Sequence, residues 1–481
     1  MGIIKSDSLK GFSWNFVEKI FGSLIQFIFT LILARLLTPE DFGVVGLLIV
    51  FTSISQVFIE SGFVQTLIQR QDVTEEDYTS VFYFNFIMSC IIYIILFFSS
   101  SYIAEFYNEP TLRLLCKISF LSIVINSLSI VPTAILTKGM NFKVLAKRTL
   151  IGNLIGGGIS VFLAIIGWGI WALVFQMLIS NLLKLILLWI YVDWRPIKRL
   201  IFYPIKNMYK FSLNIMFSSL LDTLTSNLHV IIIGKFYSKA QLGFYSQAYA
   251  LQSVPANALV SVIRSVSFPA MSKIQNDDAS LKDYFSEIQA FAFYIIFPIF
   301  IIASTLGKDL IPIVLGNKWL DSIEYFELLC YIGAFLPLYN LGMNILLVKG
   351  KSRKYLATNI VKRVVTITFV LATISYGIEI LIYGQIAAVV LNSIITMYVS
   401  GKLLDYSIFS QVQAILKTIL IGLILIIFSK LSEIYINIES HVLNLLVNTL
   451  LSLTIFGLCS ILLNVNEFHR IKRFITNKMK K

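Results

Sequence analysis

Long apolar runs recur along the whole chain, and they constrain its fold more than any other feature. Runs of about 18 or more mostly apolar residues are long enough to cross about 30 Å of hydrocarbon as α-helix. These runs are continuous and rich in Leu, Ile and Phe, whereas the strands of a membrane barrel would alternate over about ten residues. Of the 481 residues, 57% are hydrophobic and 14% are charged, which is too apolar for a soluble domain.

The runs predict an all-α polytopic membrane protein with fourteen transmembrane helices. Their predicted ranges are 11–36, 41–63, 79–105, 111–137, 144–167, 169–192, 208–236, 241–270, 283–306, 322–348, 354–376, 378–401, 408–430 and 441–464. The four cysteines lie far apart in apolar segments, so their spacing predicts neither disulfides nor metal ligands. The sequence shows no ATP-binding motif, and we expect no cofactor, no metal and no catalytic residue.

Lys and Arg are distributed unevenly over the predicted loops. With fourteen spans, 25 of them fall on the side of the two termini and 6 on the opposite side. Because Lys and Arg concentrate in cytoplasmic loops, we expect both termini in the cytoplasm. This placement accounts for the net charge of +13 without a nucleic-acid partner.

Short segments repeat in order along the chain. ARLLTPEDFG at 34–43 shares a small residue, a basic residue, a hydroxyl and a closing glycine with GKFYSKAQLG at 234–243. LTKGMNFKVLA at 136–146 matches LVKGKSRKYLA at 347–357 at an offset of 211. Each pair falls at the same place in the span order. The chain therefore reads as two parallel six-helix repeats, related by a pseudo-twofold axis along the membrane normal, with two further helices.

This repeat predicts the domain organisation. The predicted parts are an N-lobe at 1–192, a cytoplasmic interfacial linker at 193–210, a C-lobe at 211–404, helices thirteen and fourteen at 405–464, and a basic cytoplasmic tail at 465–481. Two lobes joined by a basic, aromatic linker suit a transporter in which rocking of one lobe exposes a central path alternately to each side.

Three motifs carry a family resemblance: ARLLTPEDFGVVGL, IESGF at 59–63 followed by LIQR at 67–70, and LTKGMNFKVLA. They resemble motifs of the Wzx-type oligosaccharide flippases, members of the multidrug/oligosaccharidyl-lipid/polysaccharide exporter superfamily. The resemblance covers essentially the whole chain and implies a V-shaped two-lobe bundle. It also implies transfer of a polyprenyl-diphosphate-linked oligosaccharide from the inner to the outer leaflet of the bacterial cytoplasmic (inner) membrane, for O-antigen, capsule or exopolysaccharide assembly. H⁺ or Na⁺ and a polysaccharide polymerase are candidate partners.

Polar residues at membrane depth are costly and commonly face a cavity or a partner, so they are the candidate site. Arg and Lys suit a diphosphate, because its oxygens carry negative charge and accept hydrogen bonds. The predicted substrate-binding residues are Arg264, Lys184, Lys117, Arg113, Asn257, Asn214 and Gln176. The predicted ion-coupling residues are Asp222, Glu18 and His229. Asn214, Asp222 and His229 lie in the predicted span 208–236, and interhelical hydrogen bonding is their alternative role. Interaction with headgroups is the alternative role for Arg264 and Glu18.

Two other function classes remain to be weighed. An ion-coupled multidrug antiporter of the same superfamily would favour acidic cavity residues, whereas the membrane-depth charges here are mostly basic. A polysaccharide polymerase or glycosyltransferase would need catalytic groups in a large outer loop, and the longest predicted outer loop is only 307–321. The sequence therefore favours a flippase over either alternative.

Overall fold

The structure is a computed structural model, and it describes residues 2–60, 63, 66–67, 72–197, 203–435 and 438–479. Part of the IESGF motif, most of LIQR and part of the 193–210 linker lie outside these residues. The helices are α1 (Gly2–Leu36), α2 (Pro39–Glu60), α3 (Glu75–Phe106), α4 (Leu112–Ser119), α5 (Leu121–Lys138), α6 (Phe142–Ile165), α7 (Trp171–Tyr191), α8 (Tyr203–Phe236), α9 (Lys239–Lys273), α10 (Asp278–Thr305), α11 (Gly307–Val314), α12 (Ile323–Val348), α13 (Ser352–Thr373), α14 (Ile378–Leu404), α15 (Ile408–Tyr435), α16 (His441–Leu462) and α17 (Asn466–Met479).

The predicted class is confirmed: the described part is mostly helical and has no strand, and thirteen of its helices are long and apolar enough to cross a membrane. The apolar second half of α1, Phe21–Leu36, is a shorter candidate for the remaining span. Three elements differ from the prediction. The fourth predicted span is interrupted at Phe120, the predicted outer loop at 307–321 contains α11 and a 3₁₀ helix at Asn317–Ser322, and the predicted basic tail contains α17.

The echoed segments at 34–43 and 234–243 have the same local structure, because the same capping chemistry starts the helix that follows each. Thr38 exchanges hydrogen bonds with Asp41: its N–H and Oγ1 donate to Oδ2, and the Asp41 N–H donates to Oγ1. Ser238 exchanges the equivalent three bonds with Gln241. Each pair is a capping box that satisfies helix-start N–H groups. The repeated hydroxyl is therefore an N-cap, at an offset of 200 residues.

The turns before α6 and α13 also share one geometry, but in a register different from the sequence match. Met140 has φ +55° and Gly350 has φ +63°, and the following residues donate from N–H to the carbonyls of Leu136 and Leu346. These turns superpose at an offset of 210, not at the 211 that aligns Gly139 with Gly350. The turn needs a residue with a left-handed backbone conformation one position after Gly139, and this residue is Met140.

The chain divides into two compact units, 1–246 and 247–481. In the first unit, α6 packs between α1 and α7, and α2 packs along α8. In the second unit, α12 packs between α10 and α14, and α15 lies beside α10. Burial is highest in α10 and α12, at 67% and 61% of their most apolar windows, and only 11% in α16. The lobes predicted from the sequence repeat, 1–192 and 211–404, stay a prediction.

Candidate functional site

Close packing of α1, α6 and α7 positions a group of charged side chains in the first unit. A Cβ on Gly156 would overlap Ser180 Oγ, and a Cβ on Gly152 would lie 2.6 Å from Lys184 Cγ. Asn153 Nδ2 donates to the Gly22 carbonyl over 3.0 Å, which joins α6 to α1. The small residues Gly152 and Gly156 of α6 therefore form a helix-packing surface.

Two cations and one carboxylate meet where these three helices pack. Arg148 donates to Thr133 Oγ1 over 3.0 Å, and Thr149 donates to Glu18 Oε1 over 3.1 Å. Lys184 interacts electrostatically with both Arg148 and Glu18, and its stem lies across Gly152. We name Glu18, Arg148 and Lys184 the cationic cluster. All three side chains are partly buried, so their fields are screened less than those of surface charges.

Arg148 and Lys184 of the cationic cluster lie at similar distances from the ends of their helices. Arg148 is six residues from the start of α6 and Lys184 is seven from the end of α7, so each lies about 9–10 Å inside its helix. The formal charge of the cationic cluster is one positive unit, and Arg148 Nε is buried without a hydrogen-bond partner among the described atoms. A guanidinium and an ammonium set this way suit an incoming anion with several acceptor oxygens, such as a phosphate.

Sequence reasoning named Lys184 and Glu18 but missed Arg148. It counted Arg148 among the basic residues of the cytoplasmic side, although the predicted span 144–167 contains this residue. The helix begins at Phe142, so Arg148 lies nearly two turns inside it.

A buried cation lies in the second unit. Lys362 on α13 is only 2% exposed, and its Nζ lies 3.6 Å from the centre of the Tyr339 ring on α12. Asn392 Nδ2 on α14 donates to Thr366 Oγ1 over 3.1 Å, one turn further along α13. By the structural offset of 210, Lys362 corresponds to Gly152, the position that the Lys184 stem crosses. A cation thus lies near this position in both echoed parts of the chain, contributed by different helices, and only Lys362 is fully buried. Sequence reasoning missed Lys362.

Arg264, the first-named substrate-binding candidate, is exposed on α9 and lines a narrow gap with Asn340 and Asn344 of α12. Asn340 Nδ2 donates to the Leu336 carbonyl over 3.0 Å, whereas Asn344 Nδ2 is buried with no hydrogen-bond partner among the described atoms. The gap between these side chains is too narrow to hold a water molecule, so in this structure it has no space for an anion or a sugar hydroxyl.

The remaining predicted substrate-binding residues are dispersed. Lys117 on α4 lies over the Phe97 ring at 4.5 Å, Arg113 is exposed on the same helix, and Asn257 is exposed on α9. Gln176 is partly buried on α7, away from the cationic cluster by two helical turns. The side chain of Asn214 lies outside the described residues. Among the predicted substrate-binding and ion-coupling residues whose side chains the structure describes, only Lys184 and Glu18 come together.

The two other predicted ion-coupling residues differ in burial. Asp222 is exposed on α8. His229 is buried, and its ring stacks on Tyr245 with centroids 6.5 Å apart. A stacked, buried imidazole favours the packing role over the coupling role.

Comparison with known proteins gives the same assignment as the motifs. Residues 32–324 match the family described as "Polysaccharide biosynthesis protein". The chain is 24% identical over 354 residues to the teichuronic acid biosynthesis protein TuaB of Bacillus subtilis (strain 168), which covers 73% of each chain. It is 22% identical over 360 residues to the lipopolysaccharide biosynthesis protein WzxC of Escherichia coli (strain K12), covering 72% of this chain and 71% of that one.

Solved structures share the fold at low identity. The lipid II flippase MurJ in an inward closed conformation matches with a TM-score of 0.73 and 13% identity, covering 92% of this chain and 97% of that one. An inward-facing multidrug resistance transporter of the MATE family matches with a TM-score of 0.62 and 15% identity, covering 79% and 94%. The matched family model covers more than half of the 481 residues. This chain belongs to the polysaccharide biosynthesis protein family.

Proposed function

We propose that this protein flips a polyprenyl-diphosphate-linked oligosaccharide from the cytoplasmic to the outer leaflet of the bacterial inner membrane, for surface polysaccharide assembly. The observation that carries the proposal is the cationic cluster, in which Lys184 lies close enough to Arg148 and Glu18 to interact electrostatically with both. A diphosphate is the most anionic part of such a lipid, and it needs fixed cations wherever it leaves the headgroup region.

The position of the cationic cluster suits capture of the diphosphate from the cytoplasmic side. The positive-inside distribution puts the start of α6 and the end of α7 in the cytoplasm. Arg148 and Lys184 then lie in the cytoplasmic third of their spans. Glu18 lowers the charge of the cluster to one positive unit in the empty state and can be displaced by the incoming anion, so binding need not bring a bare charge into the bilayer.

The opposite end of the first unit supports alternating access. There the N-terminal turns of α2 and α9 are in backbone contact at Gly43 and Gly243. Lys239 pairs with Glu109 over 2.9 Å beside this contact, and Lys235 Nζ donates to the Phe106 carbonyl over 2.6 Å. In the predicted orientation this end faces outward and is closed. Release of substrate to the outer leaflet then requires the contact to separate.

The test is complementation of a flippase-deficient strain, with recovery of surface glycan as the readout. Arg148→Gln and Lys184→Gln should each lower glycan by tenfold or more at normal protein levels, and Lys184→Arg should retain most of it. The matched control is Lys147→Gln, because Lys147 is exposed on the same turn of α6. Full glycan from both cluster variants would refute the diphosphate role.

The alternative is an ion-coupled multidrug antiporter, and the MATE fold likeness is what favours it. That function needs acidic groups for cationic drugs, whereas the cationic cluster has two cations to one carboxylate. Uptake of a cationic dye into vesicles distinguishes the two functions, because a flippase should give none above protein-free vesicles. Coupling to H⁺ or Na⁺ and association with a polysaccharide polymerase are further parts of the proposal.

A further inference from the structure

An apolar pocket lies between α2, α3 and α8 of the first unit. Its volume is about 430 Å³, within the usual range for a small-molecule site. Phe51 and Ile54 line it from α2, Tyr102 from α3 and Ile231 from α8. Among its lining residues, only Ser99 lacks an aliphatic or aromatic side chain. The pocket therefore suits a hydrocarbon group better than a sugar or an ion.

The pocket is accessible from an exposed apolar face of α3. Large apolar side chains recur on that face at spacings of three and four residues, at Ile91, Ile94, Phe98 and Tyr102. Phe98 is 72% exposed and Tyr102 is 75% exposed. In a membrane-spanning helix such a face contacts acyl chains, which are as apolar as these side chains. Because Tyr102 belongs to this face and also lines the pocket, an acyl chain can enter from the surrounding lipid.

A fixed cation lies at the rim of the pocket, where α3 and α8 end. Phe106 is the last residue of α3 and lines the pocket. Lys235, one residue before the end of α8, is exposed. Its Nζ donates to the Phe106 carbonyl over 2.6 Å and lies 4.0 Å from the centre of the Phe106 ring. A carbonyl and a ring hold the ammonium in place without neutralising its charge, and this hydrogen bond uses one of its three N–H groups.

The same rim also has a carboxylate. Glu105 is exposed, and it lies three residues after Tyr102, which makes the two side chains neighbours on the surface of α3. A headgroup with both a phosphate and an amine complements this rim, because the phosphate can pair with Lys235 and the amine with Glu105. A diphosphate would bring additional negative charge close to Glu105, so it complements the rim less well.

The depth of the pocket matches one leaflet of a bilayer. A Cβ on Gly234 would lie 2.4 Å from Leu47 Cδ2, so Leu47 of α2 lies at the level of Gly234, next to Lys235. Ile54 is seven residues further along α2, which is about 10 Å deeper. One leaflet contains about 15 Å of hydrocarbon, half the thickness of the bilayer core. An acyl chain can therefore fill the pocket while its headgroup stays at the membrane surface.

We propose that this pocket binds an acyl chain of phosphatidylethanolamine, with the lipid phosphate at Lys235 and the lipid amine at Glu105. In the predicted orientation the rim faces outward, so the lipid comes from the outer leaflet. The proposal concerns a resident membrane lipid and is independent of the transported substrate. It can therefore fail or succeed without affecting the proposed flippase function.

The test uses phosphatidylethanolamine with a diazirine midway along one acyl chain, added to the full chain in phosphatidylglycerol nanodiscs. After irradiation, mass spectrometry locates the adducts. They should concentrate on 50–54 and 99–106, several-fold above the exposed apolar residues of α13. Ser99→Phe puts a ring into the pocket and should lower these adducts several-fold. Lys235→Gln should lower them roughly fivefold, as expected for loss of one ion pair, whereas Lys235→Arg should keep them.

Two control variants should keep the wild-type adducts. Gly158→Phe adds the same ring to α6, where nothing lies near the added Cβ. Lys318→Gln removes one charge from an exposed position in the second unit. Melting curves identify any variant that fails to fold, and Lys235 is exposed, so its variants keep the test valid if Ser99→Phe unfolds.

Three results would overturn the proposal. The first is an even spread of adducts over all exposed apolar faces. The second is retention of the pocket adducts in both Ser99→Phe and Lys235→Gln, and retention in Lys235→Gln alone would overturn the headgroup assignment. The third is displacement of the adducts by unlabelled polyprenyl phosphate but not by unlabelled phosphatidylethanolamine, which would identify the occupant as a polyprenyl chain.

Discussion

Gly43 and Gly243 lie where α2 and α9 cross, and each sits against the backbone of the other helix. A Cβ on Gly43 would overlap the carbonyl oxygen of Lys239, and a Cβ on Gly243 would overlap the carbonyl oxygen of Pro39. The relationship is reciprocal, because Pro39 and Gly43 correspond to Lys239 and Gly243 at the offset of 200. The echo between the two segments therefore reflects a symmetric contact in which only glycine fits.

Alanine at either position should destabilise the protein, because the obstructing atoms belong to backbone and cannot move aside. We expect Gly43→Ala and Gly243→Ala each to cost about 1–3 kcal/mol or more, the usual range for overpacking. The measurement is the melting temperature of the purified protein in detergent. Gly158→Ala is the matched control: that site is exposed in α6 and has nothing near the added Cβ, so it should be neutral or slightly stabilising. Unchanged melting of both crossing variants would contradict the contact.

Gly152→Ala tests how the Lys184 stem is held. The added Cβ would lie 2.6 Å from Lys184 Cγ and 3.1 Å from the Ser180 carbonyl oxygen. The variant should be destabilised in the wild-type background and much less so in Lys184→Ala, because truncation removes the closer obstruction. The coupling in this double-mutant cycle should be about 1 kcal/mol or more, with the same sign in melting and in glycan recovery.

The corresponding cycle with Lys147→Ala provides the control, since Lys147 is exposed on α6 and is not near Gly152's added Cβ. Coupling there should be near zero. If Gly152→Ala costs the same with and without the Lys184 side chain, the stem does not cross that glycine.

The sequence predicts the helices well because lipid demands long, continuous apolar runs, and such runs are visible without any tertiary information. It predicts the site less well, because burial of a cation depends on which helix faces it. Lys362 and Arg148 both look like residues near basic loops until Tyr339 and Thr133 are placed beside them. The sequence match of 136–146 with 347–357 differs from the structural correspondence by one position for a similar reason. The match pairs Gly139 with Gly350 because both are glycine, whereas the residue with a left-handed backbone in the first turn is Met140.

Acid should weaken the pairing of Glu109 with Lys239. Burial acts to raise the pKa of Glu109, but hydrogen bonds from Thr111 and Lys239 and the Lys239 charge outweigh it, so this pKa lies below its usual value. A carboxyl whose pKa is lower in the folded state stabilises the fold above its unfolded pKa of about 4.3, and the contribution disappears as the pH falls through the folded value. The contribution should be below about 1 kcal/mol, as for other exposed pairs.

The measurement is the melting difference between wild type and Glu109→Gln across the acid range. The difference should be constant from about pH 7 to about pH 5 and should shrink below about pH 4.3. Glu105→Gln is the control, since Glu105 is exposed near the end of α3 and accepts no side-chain hydrogen bond among those described. A Glu109→Gln difference that grows as the pH falls would have the wrong sign and would contradict the pairing.

Asp309 should hold the start of α16 against α11. Its Oδ1 lies 2.8 Å from His441 Nδ1, and its Oδ2 accepts from Asn444 Nδ2 over 2.7 Å. The carboxylate is only 10% exposed, so removing it leaves Asn444 without its acceptor in a partly buried place. Asp309→Ala should cost about 1–3 kcal/mol and increase hydrogen exchange in the first turns of α16, where few other contacts hold a helix that is 11% buried.

Glu439→Ala, at an exposed position just before α16, should leave both measurements unchanged. If Asp309→Ala lowers the melting temperature without increasing hydrogen exchange in α16, the carboxylate stabilises α11 alone and does not hold α16 against it.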